Sequence, residues 1–142
     1  MKETQGTPHQ NVATVTALAS KVKRLPSYVP WSRETLSYLD GVVIHDVEAI
    51  ARTRTALASL AIERYRLATG RLPEKLGDLV PAYLDAIPQD PFDGKPLRYK
   101  KLVKGYVVYS IGEDGEDNGG AEKNTEGHSY GKGTDITFIV ER

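Results

Sequence analysis

The stretch from Ser32 to Thr69, SRETLSYLDGVVIHDVEAIARTRTALASLAIERYRLAT, decides the fold class. Its apolar residues Leu36, Leu39, Val43, Val47, Ile50, Leu57, Ala58, Ala61, Tyr65 and Ala68 recur mostly at steps of three, four or seven. That period puts them on one face of an α-helix, with Glu34, Glu48, Arg52, Glu63 and Arg66 on the other side. Ser32 is the expected N-cap, and Glu34 falls in the first turn, where the helix dipole favours an acid. Gly70 is the expected left-handed stop, with Pro73 just beyond it. Asp40 and Arg54 interrupt the apolar stripe, and Gly41 is a candidate kink. Unbroken, such a helix is about 55 Å long, whereas a compact domain of this size is roughly 30–40 Å across. The helix therefore breaks near Gly41, projects from the domain, or packs on another chain.

The second half reads differently. Pro73 to Val80 suggests one short helix with Leu76, Leu79 and Val80 turned inward, ended by Pro81. From Pro81 to Pro96 prolines and the pair Asp93-Gly94 predict an irregular but ordered connection with a tight turn. Three strands are expected: Leu97–Lys101, Gly105–Ile111 and Thr134–Val140. The first two are joined as a hairpin through LVKG, and the third carries Ile136, Phe138 and Val140 on one face. A helical run followed by strands predicts an α+β fold, with the long N-terminal helix packed on a small three-stranded antiparallel sheet. Residues 1–31 read as an N-terminal extension, with a candidate helix over Val12–Leu25, and residues 32–142 as the folded domain.

Between the second and third strands lies IGEDGEDNGG, Ile111 to Gly120, at the head of a loop of about 22 residues; connections of that length in compact domains tend to be functional or disordered. Asp114, Glu116, Asp117 and Glu122 offer carboxylates, Asn118 a side-chain carbonyl, and Asp135 stands at the start of the last strand. Calcium takes six to eight such oxygens, and glycines let a loop turn its carbonyls inward. The EF-hand pattern does not apply: the twelfth position counted from Asp114 is Thr125 where a bidentate Glu is needed, and strands flank the loop. A solvated acidic turn is the competing reading.

Composition narrows the function classes. The 142-residue chain carries 19 basic and 19 acidic side chains, a formal net charge of zero. That balance argues against a general affinity for nucleic acid or anionic membrane. There are no cysteines, so disulfides and thiolate metal sites are ruled out. No apolar run reaches the roughly 18 residues of a membrane span, so direct insertion is not expected. His128–Gly133, HSYGKG, lacks the frame of a phosphate loop, and His45 reads as a surface or packing residue. Asp90 and Asp93 are accounted for by turn chemistry rather than acid–base catalysis. Tyr28 and Trp31 read as packing onto the helix.

One resemblance binds these observations together. ALASLAIERYRLATGRLPEKLGDLVPAYLDAIPQDPFDGKPLRYKK (56–101), GYVVYSIGEDG (105–115) and the closing Asp135-Ile136 resemble the globular part of the type II secretion major pseudopilin. The matching positions run through Tyr65, Gly70, Arg71 and Pro73 to Pro81, Tyr83, Asp90, Pro91 and Tyr99, then Tyr109, Ser110, Asp114 and Gly115. The resemblance implies a non-catalytic structural or assembly domain whose loop binds calcium through the Ile111 carbonyl, Asp114, Asp117 and Asp135. It implies protein partners, either self-association as a homo-oligomer or other secretion-system subunits, on the periplasmic or extracytoplasmic side of a membrane. Phe92-Asp93-Gly94 departs from the family's aromatic–Gly pair, and the chain reads as a headgroup without the hydrophobic stem. A soluble extracytoplasmic module binding a protein or glycan on the same scaffold is the alternative.

Overall fold

The computed structural model describes residues 30–120 and 135–141, with side chains of the long helix described from Gly41 onward. The expectations for the extension before Pro30, for Trp31 as a packing residue, for Glu122 and for His128–Gly133 lie outside the described residues. The fold is α+β: one long helix, α1 (Pro30–Thr69), a short 3-10 turn (Leu76–Leu79), and strands β1 (Arg98–Leu102), β2 (Gly105–Ser110) and β3 (Ile136–Glu141).

Helix α1 is continuous for 40 residues, so of the three alternatives a break at Gly41 does not occur. Nothing lies within 4 Å of where a Gly41 Cβ would be; the glycine sits in open space and lowers helix propensity without ending the helix. The helix begins at Pro30, two residues before the expected cap, because proline is pre-organised for the first helical position. It is therefore preceded by a substantial segment and is not N-terminal in the chain. Its end is as expected: Gly70 has φ 74° and its N–H donates to the Arg66 carbonyl at 2.8 Å, the left-handed stop that only glycine adopts without strain.

The buried face of α1 differs from the predicted stripe. Val47, Ala51, Thr55, Ala58, Ser59, Ala61 and Ile62 are buried, while Leu57 is 53% exposed. The reason is that small residues let the helix approach the sheet closely. Thr55 and Ser59 satisfy their hydroxyls by donating to the Arg52 and Thr55 carbonyls, so they pack there without an orphaned polar group. Arg54 is no defect: its Nη1 donates to the Gln89 carbonyl at 2.6 Å and ties helix to connection.

The sheet is antiparallel in the order β1-β2-β3. Register pairs Tyr99 with Val108 and Tyr106 with Val140, so these four share one face, directed at the helix. There Tyr106 and Val108 join Ala58, Ile62, Leu76, Leu79 and Leu97 in the main core, flanked by Tyr65, Tyr83 and Tyr99. The Tyr106 hydroxyl donates to the Ser59 carbonyl and that of Tyr99 to the Pro73 carbonyl, which lets two phenols be buried without penalty. Phe138 pairs with Val108 and so shares the face of Val140, as expected, but it is 39% exposed. Leu76 and Leu79 are buried as expected, in a 3-10 turn shorter than the predicted helix. Val80 is already extended, and Asp78 caps the turn by accepting the Glu74 and Lys75 amides.

Each strand begins or ends within two residues of its expected limits. The hairpin closes at the Leu102–Gly105 pair. A Cβ on Gly105, whose φ is 114°, would overlap the Val140 carbonyl oxygen, so the close approach of β3 requires glycine there.

Candidate functional site: the loop after β2 and its anchors

The second face of the sheet explains where the acidic loop goes. Val107 and Tyr109 alternate away from the helix, yet both are buried. A Cβ on Gly120 would stand 3.0 Å from the Tyr109 ring and 3.1 Å from Val107. The segment from Gly112 to Gly120 thus folds back across the outer face and makes a second, thin apolar layer. Its glycines turn it: Gly112, Gly115, Gly119 and Gly120 all have φ between 71° and 76°, where other residues pay a conformational cost.

Two carboxylates anchor this return. The first is Asp90, fully buried at the end of the Pro-rich connection. Its Oδ1 accepts from the Ser110 hydroxyl at 2.8 Å and from the Phe92 N–H at 2.9 Å. Its Oδ2 accepts from the Ile111 N–H at 2.9 Å and from Arg98 Nη1 at 2.6 Å. Arg98 also bonds Asp93 through Nη2 at 2.6 Å, and its Nε lies 3.8 Å from Asp117. One buried acid, one arginine and one turn acid therefore join the connection, β1, the end of β2 and the loop. A buried charge persists in an interior only when paired and hydrogen-bonded in this way. Burial would raise the Asp93 pKa, but the Arg98 hydrogen bond, the Lys95 amide and both positive charges outweigh it and hold it below the usual 3.8.

The second anchor is Asp135, at the entry to β3 and 7% exposed. Its Oδ2 accepts from the Gly120 N–H at 2.7 Å and its Oδ1 from the Asn118 N–H at 3.3 Å. Burial raises its pKa above 3.8; those two amides oppose the rise, and the charges of Asp117 and Asp114 add to it. Asp114 accepts from the Glu116 N–H at 3.1 Å and from Asn118 Nδ2 at 3.4 Å. Asp117 caps the Gly119 amide at 2.9 Å and hydrogen-bonds the Tyr109 hydroxyl. The Tyr109 pKa is pushed up to about 12, first by burial, then by that bond and by the Asp117 and Asp135 charges, with Arg98 opposing.

The four residues expected to meet a cation are thus only partly together. Asp114 and Asp135 lie on the same side of the loop, with Asn118 bonded to both. Asp117 leans instead toward Arg98 and Tyr109; Ile111, whose carbonyl is the expected ligand, is buried and its N–H donates to Asp90. Among the described residues no three His, Cys, Asp or Glu side chains form a group that could hold a metal ion. The donor set is nonetheless all oxygen, which suits a hard cation.

Asp90 and Asp93 do the turn work expected of them, since Asp93 accepts the Lys95 amide at 2.9 Å. Arg98 and Ser110 were not legible as their partners. The available signal was an arginine at the start of β1, a few residues after a buried-looking Asp-Pro. No family model matches the chain, and neither a curated protein nor a solved structure shows significant similarity to it.

Proposed function

We propose that the chain is a non-catalytic structural or assembly domain of the type II secretion pseudopilin kind, with calcium stabilising the loop between β2 and β3. The observation that carries this reading is buried Asp135 linked through Asn118 to Asp114, in a loop that roofs the outer face of the sheet. Burial, and after it the charges of Asp117 and Asp114, raise the Asp135 pKa; a divalent cation there would favour the ionised carboxylate. Asp114 and Asp135 are the ligands in this reading, with Asn118 between them and Asp117 turned away toward Arg98. When bound, the ion supplies only charge neutralisation and a tie between loop and β3; the chain's own residues position both. Protein partners, on the periplasmic or extracytoplasmic side of a membrane, are part of the same proposal.

Calcium that binds the folded state raises its melting temperature by mass action. Differential scanning calorimetry with millimolar calcium against chelator should show a rise of several degrees. The rise should vanish in Asp114→Ala and in Asp135→Ala. No rise in the wild-type chain ends the calcium proposal; a rise that survives both substitutions moves the site elsewhere.

A further inference from the structure

The roof loop sets side by side two residues that react with each other. The chain has three asparagines, Asn11, Asn118 and Asn124, and only Asn118 is followed by glycine. Asn11 and Asn124 precede Val12 and Thr125, whose branched side chains crowd their own backbone nitrogens. A glycine nitrogen has no such screen, so it can close on the side-chain carbonyl carbon of the residue before it.

We propose that Asn118 is a site of spontaneous deamidation in the folded protein, with water the only reagent consumed. The Gly119 nitrogen gives up its proton and bonds to Asn118 Cγ. The Cγ–Nδ2 bond then breaks, and that nitrogen leaves as ammonia, having taken up one proton. Water opens the resulting five-membered imide at either carbonyl. One opening gives aspartate. The other gives isoaspartate, in which the main chain runs through the former side chain and is one carbon longer.

The fold leaves this reaction open. Asn118 and Gly119 are both exposed, and nothing lies within 4 Å of where a Gly119 Cβ would stand, so the imide has room. Asn118 Nδ2 is held by contacts of 3.4 Å to Asp114 Oδ2 and 3.3 Å to the Glu116 carbonyl, both longer than a usual N–H···O bond. The Gly119 N–H donates to Asp117 Oδ1 at 2.9 Å. That bond lies in the plane of the peptide group and leaves both faces of the nitrogen clear, while the carboxylate stands as an acceptor for the departing proton.

The consequence falls on the clasp at β3. Asp135 holds the Asn118 and Gly120 amides, one with each oxygen. An extra main-chain carbon between those two amides puts the pair of bonds out of register. Gly120 has little slack to absorb it, because a Cβ there would already stand 3.0 Å from the Tyr109 ring. The aspartate product keeps the normal main chain and only adds a negative charge beside Asp114 and Asp135. The isoaspartate form should therefore melt below both the parent chain and Asn118→Asp. None of this needs a bound cation, so it stands or falls apart from the calcium reading.

The 142-residue chain, incubated folded at neutral and mildly alkaline pH, is mapped by tandem mass spectrometry that separates aspartate from isoaspartate. A one-dalton gain should appear at Asn118 and grow with hydroxide concentration. Asn118→Gln should show none at that position, because its ring would have to be six-membered. The isoaspartate fraction, isolated by chromatography, should melt several degrees below fresh protein. A gain at Asn118 in the urea-unfolded chain but not in the folded one shows that the fold protects the site, and overturns the proposal. Equal or faster gain at Asn11 or Asn124 also overturns it, and an isoaspartate fraction that melts with the parent overturns its effect on the clasp.

Discussion

Asp90 has no exposed surface and four donors aimed at two oxygens. Removing it leaves Arg98 without one of its two partners at 2.6 Å, and the Ile111 and Phe92 amides without these acceptors. Loss of one member of such a buried pair costs about 3–5 kcal/mol. Asp90→Ala should therefore lower unfolding free energy by about 3 kcal/mol in urea denaturation, the low end applying because Arg98 keeps some solvent contact. Asp135 is the opposite kind of acid. Its folded pKa lies above 3.8, so the folded state holds its proton more tightly than the unfolded chain. Its contribution is complete below pH 3.8 and is lost as pH rises through the folded value. Measured across the acid range, the stability of wild type relative to Asp135→Asn should fall with rising pH. Asp93, with its lowered pKa, contributes in the other sense and cancels in that difference. Added calcium should flatten or reverse the fall if it binds the ionised carboxylate.

At the scale of elements, α1 carries buried and exposed apolar residues, and they should respond differently to truncation. Ile62 is fully buried against Leu79, Tyr106 and Val108 in the main core. Ile62→Ala should cost about 2–5 kcal/mol, the range for large-to-small changes in a packed core. Leu67→Ala, at 75% exposed, should change monomer stability by less than about 0.5 kcal/mol. Equilibrium denaturation at low concentration compares the two directly. The element types were legible because each rests on local pattern: helical spacing over Val43–Tyr65, alternation in GYVVYS, and glycine with proline at the boundaries. Which helical face is buried was not legible, since Leu57, Leu60 and Leu67 on the exposed side also recur at helical spacing. Leu57 attracts a hydrophobic count, but the sheet needs the smaller Ala58 and Ser59 for close approach. The continuity of α1 through Gly41 was likewise hidden, because one glycine weakens a helix without ending it.

Over the whole molecule, β2 is the shared partition between two unequal layers. One is the helix-facing core; the other is the thin roof formed when the loop returns over Val107 and Tyr109. The sequence marks the acids of that loop but not their partners, because Arg98 and Asp90 lie far from Asp117 and Ile111 along the chain. Such non-local ion pairs leave no periodicity to read. Along the chain the acids therefore read as a converging set, whereas the fold divides them between the Arg98 cluster and Asp135.

The two hydrogen bonds from Asn118 and Gly120 to Asp135 give the loop a consequence for engineering. They fasten the chain on both sides of residues 121–134, so the fold meets this stretch as a gap already closed at its base. Lengthening a closed loop is cheap, about 0.6 kcal/mol for each doubling. A foreign peptide set between Gly120 and Asp135 would hang from a fixed clasp, which makes this junction a natural port for display on an otherwise unaltered scaffold.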